Sequence, residues 1–181
     1  MMLCNFIFKY GNVFNHPIAL VNIDLPDQPL IYINQAFMDL TEYPEDEILG
    51  RNCRFLQGRG TNKEATHIIK EAINNHMPIC QDLLNFKKGG LPFYNRLTLT
   101  HFEDFKVNYY LGLQHEIPEK IAKKHTHVLS SDLAKELQAP LIAMNDYAYM
   151  SKVAGKEIEN EEIKKKFADS LVRIEQKILE L

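Results

Sequence analysis

Three apolar stretches, roughly residues 79–87, 91–100 and 107–114, follow one another so closely that only tight turns can join them. Gly89-Gly90 suits the first turn and Glu103-Asp104 falls in the second, so the three strands are expected to run antiparallel. Upstream, Ile18-Ala19-Leu20-Val21-Asn22-Ile23 and Leu30-Ile31-Tyr32-Ile33 read as two more strands, parted by the turn Pro26-Asp27-Gln28-Pro29. The segment between the two groups is helical. A first short helix carries Ala36, Phe37 and Leu40, and a second starts near Pro44 with Glu45 and Asp46 in its first turn. A longer helix follows Thr61-Asn62-Lys63-Glu64, which has capping-box spacing. It presents Ala65, Ile68, Ile69, Ala72 and Ile73 as one stripe and ends near Asn74-Asn75. Two strands, short helices, then three strands make an α+β layer fold in which the helices must cover one face of the sheet.

The flanks differ from this core. Phe6, Tyr10, Val13 and Phe14 are spaced by three and four, which predicts a short amphipathic helix over residues 1–15. After Ile117 the pattern changes: Pro118 opens the charged segment 119–124, expected to be a connecting helix. Leu133, Leu137, Leu141, Met144 and Ala148 then keep helical steps, and Gly155 is a stop. A second helix, capped by Asn160 with Glu161 and Glu162 in its first turn, carries Ile163, Phe167, Leu171, Ile174, Ile178 and Leu181. Two helices bury two such stripes poorly by themselves. A homodimer completing a bundle is therefore expected, with folding back onto the chain's own sheet as the alternative. The domain reading is 1–15 cap helix, 16–116 α+β domain, 117–181 connecting helix and hairpin.

Composition narrows the classes of function. The chain has 181 residues, 45% hydrophobic and 25% charged, with a net charge of -3, so no nucleic acid or anionic membrane partner is expected on electrostatic grounds. No apolar run approaches the roughly 20 residues of a spanning helix, and the start has no basic leader or cleavage site of a signal peptide. Cys4, Cys53 and Cys80 are odd in number and widely spaced, which argues against a disulfide framework or a metal site and suits a cytoplasmic location.

One short run has no cheap structural reason: Gly50-Arg51-Asn52-Cys53-Arg54-Phe55-Leu56-Gln57. It sets a soft nucleophile beside an amide pair and a fixed cation. A guanidinium fork suits a phosphate, and a thiol suits an electrophile. A lone Cys-Arg pair would more often be a small buried cysteine beside surface residues. All eight residues together, however, resemble the photoactive motif of the light-oxygen-voltage (LOV) flavin photoreceptors, a subclass of the PAS fold. The resemblance covers roughly residues 16–116 and implies a five-stranded antiparallel sheet with short helices on one face.

By that resemblance Cys53 is the residue that forms a reversible thioether to the C4a carbon of flavin mononucleotide (FMN) under blue light. Arg54 matches the phosphate-binding arginine. Lys70 falls where a second arginine is usual, so FAD or riboflavin stay open as the cofactor. Asn52 and Gln57 match contacts to the ribityl chain and ring edge, and Asn85 and Asn95 match the pair that reads the pyrimidine-like edge. Leu97 stands beside the ring where phenylalanine is frequent. Gln114 matches the glutamine that senses flavin N5 and is expected immediately before the connecting helix. Two further departures are Glu42, in place of a glycine in the family's Thr-Gly-Tyr turn, and Tyr94, where tryptophan is frequent.

In the tail, Lys135-Glu136-Leu137-Gln138-Ala139-Pro140-Leu141 resembles the phosphoacceptor box of sensor histidine kinases, with Lys135 where the phosphorylated histidine belongs. An ammonium has no lone pair to attack with. The expectation is a dimerising, signal-carrying bundle without phosphotransfer or enzyme activity, kinked at Pro140 and acting on a downstream signalling protein. Two alternatives are a redox- or ligand-sensing PAS module without photochemistry and a kinase-like scaffold that regulates a partner kinase.

Overall fold

The computed structural model describes residues 3–122 and the helical positions Lys165, Asp169, Arg173 and Gln176. The expected hairpin, its dimer and the Lys135 box lie outside the described residues. Among these, strands β1 (Ile18–Asn22), β2 (Leu30–Ile33), β3 (Ile79–Phe86), β4 (Pro92–Asp104) and β5 (Val107–Ile117) form one antiparallel sheet in the order β2-β1-β5-β4-β3. Helix α1 (Leu3–Tyr10) precedes β1. Helices α2 (Gln35–Thr41), α3 (Glu45–Ile48) and α4 (Lys63–Asn74), with a 3-10 turn at Cys53–Leu56, lie between β2 and β3. A short α5 (Glu119–Ala122) follows β5.

Strand alternation gives the sheet two different faces. Ile18, Leu20, Tyr109 and Leu111 point to one face, where Cys4, Ile7 and Phe14 from the N-terminal segment join them in a buried cluster. Of the expected stripe, Phe14 is buried in this cluster. Cys4 and Ile7, three apart, make the contact, and Tyr10 is half-buried. Ala19, Val21, Tyr110 and Gly112 point to the other face, where α4 and the Cys53–Leu56 turn pack on the strands in two buried clusters that border a cavity.

Three local details correct the reading of the sequence. The cap of α4 is Asn62, not Thr61: its Oδ1 accepts the N–H groups of Glu64 at 2.8 Å and Ala65 at 3.4 Å. Thr61 instead accepts the Gly58 N–H at 3.0 Å and donates to the Leu84 carbonyl at 2.7 Å, tying this loop to β3. The β4–β5 turn is Phe105-Lys106, both left-handed with φ 53° and 64°, while Glu103 and Asp104 pair inside the ladder with Asn108 and Val107. Buried Asp104 accepts the Cys4 N–H at 3.2 Å, which anchors α1 and explains why an acidic residue sits inside the strand. Finally, β5 continues to Ile117, opposite Tyr94, so Gln114 lies three residues inside the strand and not beside the following helix.

Glu42 shows what the missing glycine would have done. It ends α2 in the left-handed region, φ 63°, and its N–H reaches the Met38 carbonyl at 2.7 Å.

Candidate functional site

The strand β2 positions Cys53. Gly50 N–H donates to the Leu30 carbonyl at 2.9 Å and Leu30 N–H to the Arg51 carbonyl at 2.8 Å. Gly50 turns the chain with φ 81°, a conformation glycine adopts without penalty. Asn52 then caps the 3-10 turn, accepting the Arg54 N–H at 2.9 Å. Its Nδ2 donates to the carbonyls of Asp27 at 2.7 Å and Gln28 at 3.3 Å, so the β1–β2 loop is clamped to the turn. Leu56, 1% exposed, pins the far end in the core. These ties direct Cys53 at the hollow side of the sheet.

The hollow opens to solvent, and its empty space with the open part included is about 720 Å³. Its walls include Val21, Ile69, Leu83, Leu97 and Leu99. The space exists because two small residues meet across strands: Ala19 pairs with Gly112, and both line the cavity. A Cβ on Gly112 would lie 3.1 Å from Gln114 Nε2 and 3.2 Å from Leu99 Cδ2.

Three amides are set into this apolar wall. Asn95 Nδ2 donates to Asn85 Oδ1 at 2.9 Å, and Asn95 Oδ1 accepts the His115 N–H at 3.2 Å. Gln114, 3% exposed, leaves its Oε1 buried with no hydrogen-bond partner. Such an atom costs about 1–3 kcal/mol, so a ligand with a polar edge has a place prepared for it. Cys53 keeps some exposed surface as a residue, yet desolvation pushes its thiol up to about 12. Near neutral pH it is S–H, not thiolate.

Outside this cavity opens a second, wider space that shares Asn52, Arg54, Gln57, Ile69 and Ile73 with it. Its rim carries the charges of Arg54, Lys63, Lys70 and Asp27, and His67 lines it too. Arg54 Nη1 pairs with the Asp27 carboxylate. Lys70 lines only this outer space, and Gln57 is exposed at its edge.

Of the residues singled out from the sequence, Asn52, Cys53, Arg54, Gln57, Asn85, Asn95, Leu97 and Gln114 all line the inner cavity. A flavin fits these surroundings: apolar walls for a flat ring, amides for its polar edge, an orphan buried acceptor, and cations at the mouth for a phosphate. The sequence reading missed Ala19, Gly112, Tyr110 and Asp27. The first two had a signal, small residues in facing strands, but it becomes visible only once the register is known.

A PAS domain family model matches residues 16–119. The LOV domain of the Erythrobacter litoralis EL346 blue-light activated histidine kinase superposes with a TM-score of 0.55 at 34% identity, covering 57% of this chain and 97% of that one. The light-state structure of the blue-light photoreceptor Aureochrome1 LOV gives 0.58 at 35% identity, over 64% of this chain and 91% of its own. The chain belongs to the LOV group of PAS domains. As a LOV module it is a blue-light photoreceptor unit, and its LOV neighbours imply a flavin chromophore.

Among curated proteins, blue-light-activated histidine kinase 1 of Erythrobacter litoralis is 36% identical over 148 residues, 81% of this chain and 41% of that protein. The blue-light-activated histidine kinase of Brucella anthropi is 39% identical over 109 residues, 59% of this chain and 22% of that protein. The LOV chain thus spans less than half the length of either kinase. Those relatives are enzymes as whole proteins, whereas a LOV domain is not itself enzymatic. Among the described residues no helix is long and apolar enough to cross a membrane, and no group of His, Cys, Asp or Glu could hold a metal ion.

Proposed function

We propose that this chain senses blue light through a bound FMN, with Cys53 as the reacting group and Gln114 as the group that reports the event. One observation carries the reading: a protonated Cys53 thiol and an unpartnered Gln114 amide oxygen open onto the same largely apolar cavity. Bound flavin supplies a ring that absorbs blue light and, while excited, accepts a thiol reversibly. The chain's residues do the rest. Asn85 and Asn95 orient the ring edge, the walls of Leu83, Leu97 and Leu99 keep water away, and Arg54 with Lys70 holds the phosphate, which favours FMN over riboflavin. Cys53 brings a proton as well as a sulfur, because burial keeps it un-ionised.

Gln114 can turn its amide to present either an acceptor or a donor. A mismatch there is worth about 1–3 kcal/mol. That falls short of the ~5.5 kcal/mol needed to take an equilibrium from 1:99 to 99:1, so one site biases a switch without throwing it completely. Both copies of a homodimer acting together through the C-terminal helices would sharpen it. The output passes to a signalling partner in the cytoplasm, and the chain itself catalyses no phosphotransfer.

The test is optical. Purified protein should be yellow, release FMN on denaturation, bleach under blue light and recover in darkness. Cys53→Ala should keep the flavin and lose the bleaching. Protein without flavin, or a Cys53→Ala variant that bleaches like the parent, would overturn the proposal.

A further inference from the structure

We propose that Asp27 sets the flavin specificity of this domain by neutralising Arg54 at the cavity mouth, which discounts the phosphate of FMN against phosphate-free riboflavin. The inference rests on the flavin reading above and concerns a residue outside the eight-residue motif.

Asp27 and Arg54 form an ion pair on the rim of the outer space. The other cations of that rim, Lys63 and Lys70 on α4, are in no ion pair among the described residues. Arg54 is therefore the rim cation whose charge is cancelled. The partner that cancels it is held in place by the fold. Asp27 and Gln28 occupy consecutive left-handed conformations, φ 64° and 49°, and Asn52 Nδ2 grips the carbonyls of both. The backbone that carries the carboxylate is thus held beside Arg54, while both side chains are mostly exposed, 57% for Arg54 and 65% for Asp27.

An anion arriving at the mouth meets this pair before it meets a free guanidinium. A phosphate must displace the carboxylate or share Arg54 with it, and it feels the repulsion of Asp27 in either case. Riboflavin carries no charge there and is indifferent. The pair is solvent-exposed, so its effect is modest and sensitive to salt. It tunes selectivity without deciding whether a flavin binds.

The experiment measures dissociation constants of FMN and riboflavin for the full 181-residue chain and for Asp27→Asn. Asparagine tolerates the left-handed backbone and keeps a hydrogen-bond acceptor toward Arg54 while losing the charge. Asp27→Gly, also suited to that φ, is a second charge-free variant should the first not fold. We expect FMN to bind about threefold to tenfold tighter in a folded variant, riboflavin to stay within about twofold, and the gain to fade in ~1 M salt, where the Debye length is ~3 Å. An unchanged or lowered FMN preference in the folded variants overturns this inference and leaves the flavin site standing. A parent protein that binds neither flavin overturns the underlying reading instead.

Discussion

Along β1, Ile18 and Leu20 are buried against Cys4, Ile7 and Phe14, while Ala19 and Val21, on the same strand, border open space. The packed face holds large side chains that interdigitate, and Asp82 and Arg96, also pointing away from the cavity, are locked in a buried pair with contacts of 2.7 and 2.8 Å. The hollow face trades that density for Gly112, Ala19 and three amides. Both faces contribute buried clusters to folding, and the helix-covered face also leaves a cavity for recognition.

The largest effect should come from breaking the packed side. Asp82→Ala removes the carboxylate paired with a guanidinium that is 1% exposed, and is expected to cost about 3–5 kcal/mol in denaturant unfolding. Leu20→Ala, at 0% exposure, should cost about 2–5 kcal/mol. Leu97→Ala, a half-buried wall of the hollow, should cost only about 1–2 kcal/mol. Equal costs for the two leucines would erase the contrast between the faces.

Filling the hollow should harm binding more than folding. Gly112→Ala puts a methyl against Gln114 Nε2 and Leu99, and should weaken flavin binding about tenfold, ~1.4 kcal/mol, with the melting temperature of the flavin-free protein nearly unchanged. A variant that binds flavin normally would show that the cradle is not used.

The smallest effect is in pH. Burial raises the Cys53 thiol from 9.0 to about 12. A group raised in the folded state adds stability that is complete below the unfolded value and is lost as pH rises through the folded one. Stability should therefore fall between pH 9.0 and 12. Cys53→Ala should make that alkaline fall shallower. Cys4 on the packed face, also raised to about 12, keeps contributing to it. Bleaching should stay constant from about pH 5 to 8, since the thiol keeps its proton throughout.

Much of this was legible in the sequence, for physical reasons that differ by region. The strands showed because alternation and turn glycines are local, and the Cys53 motif showed because eight adjacent residues carry it. What escaped depends on long-range pairing. The turn at Phe105-Lys106 has no glycine or asparagine to mark it, so composition favours Glu103-Asp104, whereas the Cys4 N–H bond to Asp104 belongs to long-range packing. Thr61 fits a cap as well as Asn62 does; the draw of the Leu84 carbonyl decides between them. The pairing of Ala19 with Gly112, and Asp27 over Arg54, join residues far apart in the chain.

The most direct measurement is light-minus-dark infrared spectroscopy of the S–H stretch. The chain has three cysteine thiols, and Cys53 is the one at the cavity. Blue light should remove one S–H band, darkness should restore it, and Cys53→Ala should show no change. A band that persists under light, or one that disappears equally in Cys53→Ala, would contradict the account.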